Sequence, residues 1–285
     1  MYIIDKILNN NVVVSQNNAG EEIIIMGRGI AFNKKSGDYL TENQIEKIFL
    51  KSQNEKLSDV EKLFSDVDER IIEISKQIVF LAESELNYQY SDKTYITLLD
   101  HINYAVQRYQ DNIVLSNPLV LEIKKFYPGE FSVATQGVEL IKRELNIDFK
   151  EDEAGFIALH LVSNNMGQEN VTDTMQTTEI VRDILVIIRR YFGIHYNENS
   201  LNYTRMVTHI QYFVQRILKD KGYEDKDEFL YELIQSKYPK AFQCSLRVKD
   251  YLKKQHHLNV EDSELIYLVI HINRVLDEVE KLSEL

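Results

Sequence analysis

A repeated pair of segments constrains the fold of this chain more than any other feature of its sequence. The segment DHINYAVQR at 100–108 is echoed by THIQYFVQR at 208–216, and EDEAGFIALHL at 151–161 is echoed by EDSELIYLVIHI at 261–272. A Tyr-Pro pair recurs between the two segments in each copy. An offset of about 110 residues is too long for a solenoid repeat and suits a duplicated domain. Because apolar residues recur at helical spacing in both copies, we predict two homologous all-α helical bundles.

The first forty residues differ from the rest because their sequence pattern predicts β-hairpins. Apolar residues precede the turn-like NNN, the strand-like VVVS follows, QNNAG predicts a second turn, and EEIIIM and GIAF predict two further strands. From residue 41 onward the spacing of the apolar residues predicts a helix instead. The fold class that we expect is mainly α, with a small N-terminal antiparallel β domain ahead of the two helical bundles.

We place the domain boundaries at polar and charged stretches of the chain. The segments KSQNEKLSDVEK and SNNMGQENVTDTMQ have the composition of connectors. They divide the chain into an N-terminal domain at 1–57, a first helical domain at 58–170 and a second helical domain at 171–285.

Composition excludes several classes of protein. No run reaches the ~20 apolar residues of a transmembrane helix, and the start MYIIDKILNN lacks the order of a signal peptide, so we expect a cytoplasmic protein without membrane insertion. The single cysteine, Cys244, cannot form an internal disulfide and has no CxxC partner, which indicates a small buried side chain. Neither a GxxxxGK loop nor a DxD-type cluster occurs, and we expect no cofactor.

The distribution of charge matters more than the total. A net charge of −12 argues against nucleic-acid binding for the chain as a whole, because affinity for phosphate comes mostly from cations. Residues 1–57, however, hold seven basic and seven acidic residues, so the remainder carries the whole net charge. No acid occurs between residues 23 and 37, where MGRGIAF is followed by Lys34 and Lys35. This stretch therefore has positive potential without acidic neighbours in sequence.

Four of the seven histidines occupy matching places in the two copies: His101, His160, His209 and His271. Helical spacing puts each at the edge of an apolar stripe, so we expect all four at the border between packing and solvent. A structural role for partly buried histidines stays open. A metal site has no local support from HxxxH, HExxH or a cysteine cluster, and acid–base catalysis gives no reason for duplication. Phosphoryl acceptance fits better, because a neutral imidazole is nucleophilic near pH 7 and the phosphate adds about two negative charges.

Taken together, these motifs resemble the BglG/LicT family of transcriptional antiterminators. The resemblance is carried by NNNVVV, EEIIIMGRGIAFNKKSGD, DHINYAVQR and DEAGFIALH, in the family's order and over essentially the whole chain. It implies a co-antiterminator domain, a four-stranded antiparallel sheet that dimerises and binds an RNA hairpin in a leader transcript. Binding prevents an overlapping terminator from forming, so that sugar-uptake genes are transcribed.

The resemblance also implies how such a protein is controlled. The two helical domains are similar to regulation domains of the sugar phosphotransferase system (PTS), phosphorylated on histidine by the phosphocarrier HPr or by a sugar-permease IIB component. In LicT-like members, phosphorylation of the first domain inactivates the protein and phosphorylation of the second activates it, with β-glucosides as inducers. The four matching histidines would be the phosphorylation sites. Asp100 precedes His101 as in the family's first domain, whereas Thr208 precedes His209, so the two environments should differ.

The residues that match the family's RNA-contacting positions are Asn11, Gly27, Arg28 and Phe32, with Lys6 and Asn10 as weaker candidates. Their chemistry suits the role. Gly27 and Gly29 would let the backbone approach a ribose-phosphate chain closely. Arg28 has a planar donor fork, and Phe32 could stack on an exposed base. The alternative is a tight hairpin with a solvated Arg28 and with Phe32 in the core.

Two other classes of function would require sequence features that this chain lacks. A PTS-regulated DNA-binding transcriptional activator would need a helix-turn-helix near the N-terminus, which the strand-like start does not supply. An enzyme such as a phosphotransfer intermediate would need a nucleotide loop or a carboxylate–metal constellation. We therefore expect a homodimeric RNA-binding regulator and not an enzyme. Arg108 and Arg216, each seven residues after a histidine, could meet phosphate or form salt bridges.

Overall fold

The structure is a computed structural model that describes residues 2–50, 57–165, 171–219 and 228–283. Two compact units divide the chain, Met1–Val171 and Thr172–Leu285. A small sheet and one helical bundle make up the first unit, and a second helical bundle makes up the other. This confirms the expected fold class, mainly α with a small antiparallel β region at the N-terminus.

Six strands form the N-terminal region: β1 (Tyr2–Ile3), β2 (Lys6–Asn9), β3 (Val12–Gln16), β4 (Glu22–Met26), β5 (Tyr39–Leu40) and β6 (Lys47–Leu50). Strands β2, β3, β4 and β6 form a four-stranded antiparallel sheet in that order, while β1 pairs with β5. The four-stranded sheet agrees with the one that the family resemblance implied.

The segment GIAF is not the short strand that the sequence predicted. Gly29 has a φ of +62° and Asn33 has a φ of 57°, both in the left-handed region that a strand does not use. The amide of Ile30 bonds the carbonyl of Gly27, and that of Phe32 bonds the carbonyl of Gly29. The stretch is therefore a series of tight turns, and the fourth strand of the sheet comes from further along the chain.

The helix predicted from residue 41 onward is also wrong. The chain forms one 3-10 turn at Glu42–Gln44, with Thr41 at its N-cap, and then enters β6. Ile48 of β6 pairs with Ile25, and Phe49 pairs with Ile24. Both faces of β6 are covered, so its apolar residues follow one another without the alternation that marks a half-exposed strand.

Each face of the four-stranded sheet is packed against other residues. One face joins a cluster formed by Ile4, Val13, Ile23, Ile25, Ile30, Ala31 and Leu40. On the other face, Phe49 lies 5.6 Å from Phe64 and 5.4 Å from Tyr95 between ring centroids, and the Tyr95 hydroxyl lies 3.5 Å from the sulfur of Met26. Since Phe64 and Tyr95 belong to helices, the sheet and the first bundle share one apolar layer.

The first unit contains α1 (Leu57–Asp66), α2 (Glu69–Leu86), α3 (Asp92–Gln110), α4 (Val120–Phe126), α5 (Pro128–Leu145) and α6 (Glu151–Asn165). The remaining helices are α7 (Val171–Phe192), α8 (Leu201–Leu218), α9 (Glu228–Lys237), α10 (Pro239–His256) and α11 (Asp262–Ser283). Of the predicted connectors, 51–56 and 166–170 lie outside the described residues, and the flanking parts are helical rather than open.

Matching signals start the repeated helices. Ser91 before α3 accepts a bond from the amide of Thr94, and Ser200 before α8 accepts one from the amide of Tyr203. Pro128 and Pro239 stand in the first turn of α5 and α10, where proline suits the helix because no partner is needed for its nitrogen. Within the described residues, no helix is both long and apolar enough to span a membrane.

Candidate nucleic-acid surface and histidine sites

Two adjoining loops of the N-terminal domain are fastened together by hydrogen bonds. The amide of Gly27 donates to the carbonyl of Asn11 at 3.0 Å, and the amide of Ala31 donates to the carbonyl of Asn10 at 3.0 Å. The amide of Gly29 donates to Oδ1 of the Asn11 side chain at 2.7 Å. The loop after β2 therefore holds the glycine-containing loop after β4 in place, and the side-chain oxygen of Asn11 is used within the fold.

The side chains that these loops present outward are polar, basic and aromatic. Arg28 is exposed, as is Asn10, and 67% of Phe32 is accessible. Phe32 is thus not part of the core, which removes the structural alternative for that residue. An aromatic ring and a guanidinium that are both exposed on one loop can offer stacking and charge together.

Gly27 is required for a reason that the sequence did not reveal. Its backbone is buried, and a Cβ placed on it would lie 1.9 Å from the carbonyl oxygen of Gln44. The close approach that excludes a side chain there is made by the chain itself. Gly29, with its φ of +62°, instead provides the left-handed turn that sets Arg28 outward.

Acidic residues of the first two helices contact the same region. Lys6 Nζ lies 2.8 Å from Glu61 Oε2, and the amide of Asn10 donates to Glu69 Oε1 at 3.2 Å. The Lys6 side chain is 60% exposed, so solvent screens this pair and its contribution to stability is small. Lys34 turns back onto the fold, where its Nζ donates to the Gln44 side chain at 2.8 Å.

The first histidine pair lies between α3 and α6. The rings of His101 and His160 are 4.7 Å apart between centroids and inclined by 38°. Nε2 of His101 lies 2.7 Å from Glu153 Oε1, at an angle that does not form a hydrogen bond. Arg108 Nη2 donates to both oxygens of Glu153, at 3.3 and 3.2 Å. The carboxylate of Glu153 therefore contacts both the guanidinium of Arg108 and Nε2 of His101.

Burial keeps the second ring of this pair neutral. Burial, and secondarily the neighbouring His101, hold the pKa of His160 well below its usual value. Among the described residues, Nδ1 of His160 has no hydrogen-bond partner although it is buried. A neutral imidazole with a free ring nitrogen retains its nucleophilic lone pair near pH 7.

The second histidine pair lies between α8 and α11 and is closer. The rings of His209 and His271 stack at 3.9 Å between centroids with an angle of 24°. Arg216 donates from Nε to Glu264 Oε1 at 2.9 Å and from Nη2 to Oε2 at 2.5 Å. Glu264 is only 1% exposed, so this bidentate ion pair joins a buried carboxylate to a partly exposed arginine.

Both rings of the second pair have a lowered pKa. Burial lowers the pKa of His209, and the positive charges of Arg274 and Arg216 lower it further. Burial lowers the pKa of His271 to about 4, with contributions from His209 and Arg274. Arg274 follows His271 by three residues, and the matching residue after His160 is Ser163. The second pair thus has an additional cation that the first lacks at this position.

A pocket opens directly onto the second pair. It is lined by Phe213, Arg216, Tyr267 and both histidines, among other residues. The corresponding pocket of the first bundle is lined by Arg108, Glu153, Phe149 and the exposed segment 113–115, and the histidines do not line it. An anion entering the pocket of the second bundle would therefore meet imidazole and guanidinium groups together. In the pocket of the first bundle it would meet Arg108 and Lys150 among carboxylates, and no histidine.

The expectation that all four histidines lie at a border holds for the first pair only. His101 and His160 are half-buried, whereas His209 is exposed and His271 is 8% exposed. Among the described residues, no cluster of three or more His, Cys, Asp or Glu could hold a metal ion.

Sequence reasoning missed the two glutamates of these sites. Glu153 precedes His160 by seven residues, and Glu264 precedes His271 by seven. The two repeated segments begin with EDE and EDS, and matching them from these first residues leaves Glu153 and Glu264 one position out of register. The spacing to the histidines was the signal that could have found them, because seven residues are two helical turns and keep both side chains on one face.

Comparison with known proteins identifies the domains of this chain. Residues 2–58 match the family model described as the CAT RNA binding domain, and residues 76–164 and 182–275 match the model of the PRD domain. An RNA-binding domain followed by two copies of one regulatory domain defines the class: an RNA-binding transcription regulator. The chain belongs, more particularly, to the BglG/LicT family of transcription antiterminators.

Its relatives are similar over nearly their whole length. The transcription antiterminator LicT of Bacillus subtilis (strain 168) is 36% identical over 275 residues, covering 96% of this chain and 99% of LicT. The beta-glucoside operon antiterminator of Dickeya chrysanthemi is 33% identical over 278 residues, 98% of each chain. The crystal structure of GlcT CAT-PRDI is similar with a TM-score of 0.51 and 32% identity, over 57% of this chain and 97% of that one.

Proposed function

We propose that this protein binds an RNA hairpin in a leader transcript as a homodimer and prevents formation of a terminator upstream of sugar-utilisation genes, with β-glucosides as the inducing class. The observation that carries the proposal is the pair of fastened loops from which Asn10, Arg28 and Phe32 stand exposed. The relatives named for antitermination and for a beta-glucoside operon support the same conclusion.

The loops have the chemistry for RNA rather than for duplex DNA. Phe32 offers a ring on which an unstacked loop base can stack, and Arg28 offers a fork for phosphate or a base edge. The side chain of Asn10 and the side-chain NH2 group of Asn11 can pair with base edges, and Lys6 adds charge nearby. We assign Gly27 and Gly29 the supporting role of shaping the loop. We retain all six as the RNA site: Lys6, Asn10, Asn11, Gly27, Arg28 and Phe32.

A homodimer suits the size of the N-terminal domain, at 1–57 in our division of the chain, with the helical domains at 58–170 and 171–285. A module of this size has a small core, and pairing two copies would bury more apolar surface and double the contacts with RNA. Ile3 and Tyr39, which pair across β1 and β5, are 44% and 60% exposed. This apolar edge is available for such a contact.

Control by histidine phosphorylation follows from the two histidine pairs. We propose that HPr or a sugar-permease IIB component of the PTS transfers phosphoryl groups to His101, His160, His209 and His271. The protein accepts phosphate as a regulator and is not itself an enzyme. Because leader transcripts are made and read in the cytoplasm, we place its action there. The added charge would change how the helical domains pair in the dimer, and so whether two N-terminal sheets can meet.

A gel-shift titration of the full-length protein tests RNA binding. The probe is the hairpin from the leader of the operon next to this gene, and the variant is Arg28→Ala. Loss of a guanidinium contact should weaken binding at least about tenfold. Arg143→Ala is the matched control, since it removes the same charge from an exposed side chain of α5. Equal affinities for both variants would remove Arg28 from the RNA surface.

Phosphorylation is tested separately, by mass spectrometry of intact histidine-phosphopeptides after incubation with HPr and its phosphodonor system. We expect phosphate on the four paired histidines and not on His195 or His257, which are exposed but unrepeated. Equal phosphorylation of all exposed histidines would contradict the proposal that the two histidine pairs are specific phosphorylation sites.

A further inference from the structure

The arginine and the glutamate beside each histidine pair form one unit with it. Arg216 follows His209 by seven residues on α8, and Glu264 precedes His271 by seven on α11. Because seven residues are about two helical turns, each helix carries both of its residues on one face, roughly 10 Å apart along the axis. The histidines meet at one level and the ion pair lies at the next.

The arginine is directed so that it can reach either partner. Long side chains on a helix lean toward its N-terminus, which for Arg216 is the direction of His209. Both residues line the same pocket, together with Glu264, Tyr267 and His271. The guanidinium of Arg216, which bonds Glu264 in this structure, therefore lines the same pocket that a phosphate on His209 or His271 would occupy.

A phosphorylated histidine would compete strongly for that arginine. Phosphoryl transfer forms a bond between a ring nitrogen and phosphorus while the bond from phosphorus to the donor breaks, and the donor group leaves with that electron pair. The accepting ring then gives up the proton on its other nitrogen to solvent. The product carries about two negative charges and three acceptor oxygens, whereas a glutamate carries one charge and two. The buried Glu264 then loses its cation, which disfavours the present packing of α8 against α11.

We propose that Arg216 in the second copy and Arg108 in the first are exchange residues, held by Glu264 and Glu153 before phosphorylation and drawn to the phosphate after it. The inference rests on the proposed phosphorylation of the histidines and adds to it the step that converts new charge into a structural change. The glutamate is the holding group, and the arginine is a positioning residue for the phosphohistidine.

The two copies differ in how readily this exchange occurs. In the first copy Arg108 and Glu153 are both buried, and Glu153 also lies against His101, so a phosphate on that ring nitrogen meets a carboxylate. In the second copy the Arg216 side chain is 33% exposed and shares its pocket with both rings. The exchange is therefore less hindered in the second copy.

The test measures the phosphohistidine directly on the full-length protein, phosphorylated by HPr and its donor system. Glu264→Gln keeps the shape of the side chain but releases the arginine, so hydrolysis of phosphate on His209 or His271 should slow by roughly tenfold. Arg216→Gln should speed it by a similar factor, and Arg216→Lys, which keeps the charge without the fork, should lie between. Glu232→Gln on α9, at an exposed site, is the matched control and should leave the rate unchanged.

Nitrogen-15 NMR of the arginine Nε–H groups gives a second readout that a merely structural role would not change. On phosphorylation of the native protein, the Arg216 signal should shift, while that of Arg143, which pairs on the surface, should not. A phosphorylated protein with an unmoved Arg216 signal and an unchanged half-life in Glu264→Gln would overturn the exchange alone. A native protein that takes no phosphate would overturn the proposed phosphorylation, and with it the trigger for the exchange.

Discussion

The two histidine pairs share a scaffold and differ in the charges around it. Each joins two helices of one bundle, and each of these helices carries one member of an arginine–glutamate pair two turns along from its own histidine. In the first copy the carboxylate touches a histidine edge and the ion pair is buried. In the second copy the rings stack closely, a pocket opens onto them, and Arg274 adds a cation. A duplicated domain has kept its geometry and changed its electrostatics, so the same modification can have different consequences in the two copies.

Substituting the histidines of one copy at a time tests most directly whether the two copies have different effects. Under the proposed control, His101→Ala or His160→Ala should leave the protein active without inducer, and His209→Ala or His271→Ala should weaken activation. A terminator–reporter fusion should show these opposite shifts, each tenfold or more, which is about 1.4 kcal/mol or more in the switching equilibrium. A change in the same direction from both copies would contradict the proposal that the first copy inactivates the protein and the second activates it.

The two ion pairs should differ in their effect on stability. Arg108→Ala strands the buried carboxylate of Glu153 and should cost about 4 kcal/mol of unfolding free energy. Arg216→Ala also strands a buried carboxylate but should cost less, about 2 kcal/mol, because Arg216 is partly exposed and the pocket that it lines with Glu264 admits water once the arginine is removed. Urea unfolding followed by circular dichroism suits a chain with no tryptophan. A larger loss in the second copy would reverse our ranking of the two pairs.

The lowered pKa of His271 predicts a dependence of stability on pH. Between pH 6.5 and about 4 this ring is protonated in the unfolded chain but not in the folded chain. The neutral ring therefore contributes its full share to the free energy of unfolding above pH 6.5, and this free energy falls as the pH drops from 6.5 to about 4. The loss is at most about 3 kcal/mol. In His271→Gln, the free energy of unfolding measured by urea denaturation should depend less on pH between these two values. A slope unchanged in the variant would assign the dependence to other groups, His160 first among them.

The smallest expected effect tests the additional cation of the second pair. Because Arg274 lowers the pKa of both His209 and His271, Arg274→Gln should raise both values without moving that of His160. Titration of the ring protons by NMR measures this. Lys253→Gln on α10 removes the same charge at an exposed site and serves as the control. If both variants act alike, the effect is one of net charge and not of position.

The sequence was sufficient where its signals were local or repeated. The duplication, the hairpins of the N-terminal domain and the helical bundles all follow from spacing and turn residues. It was insufficient where two segments distant in sequence meet. Helical spacing assigns Arg216 and Glu264 each to a face, but it does not state which faces meet.

Tertiary contacts also explain the local errors. Ile48 and Phe49 fit a helix by spacing, and only their pairing with β4 makes them part of a strand, with Phe49 buried on one face and Ile48 partly buried on the other. The need for glycine at position 27 depends on a carbonyl oxygen seventeen residues later, so the motif MGRG could be read as ligand chemistry when part of it is packing. Phe32 was ambiguous for the same reason, because a small domain can bury an aromatic ring or expose it.

Helix α3 gives the first copy a mechanical connection to the N-terminal sheet. It carries His101, and six residues earlier, about 9 Å along the axis, it carries Tyr95, whose ring lies on Phe49 and whose hydroxyl reaches Met26. Met26 directly precedes the loop that presents Arg28. Since a helix of this length is stiff, we expect a tilt of α3 at His101 to displace Tyr95 and so to act on Phe49 and Met26 at the base of that loop.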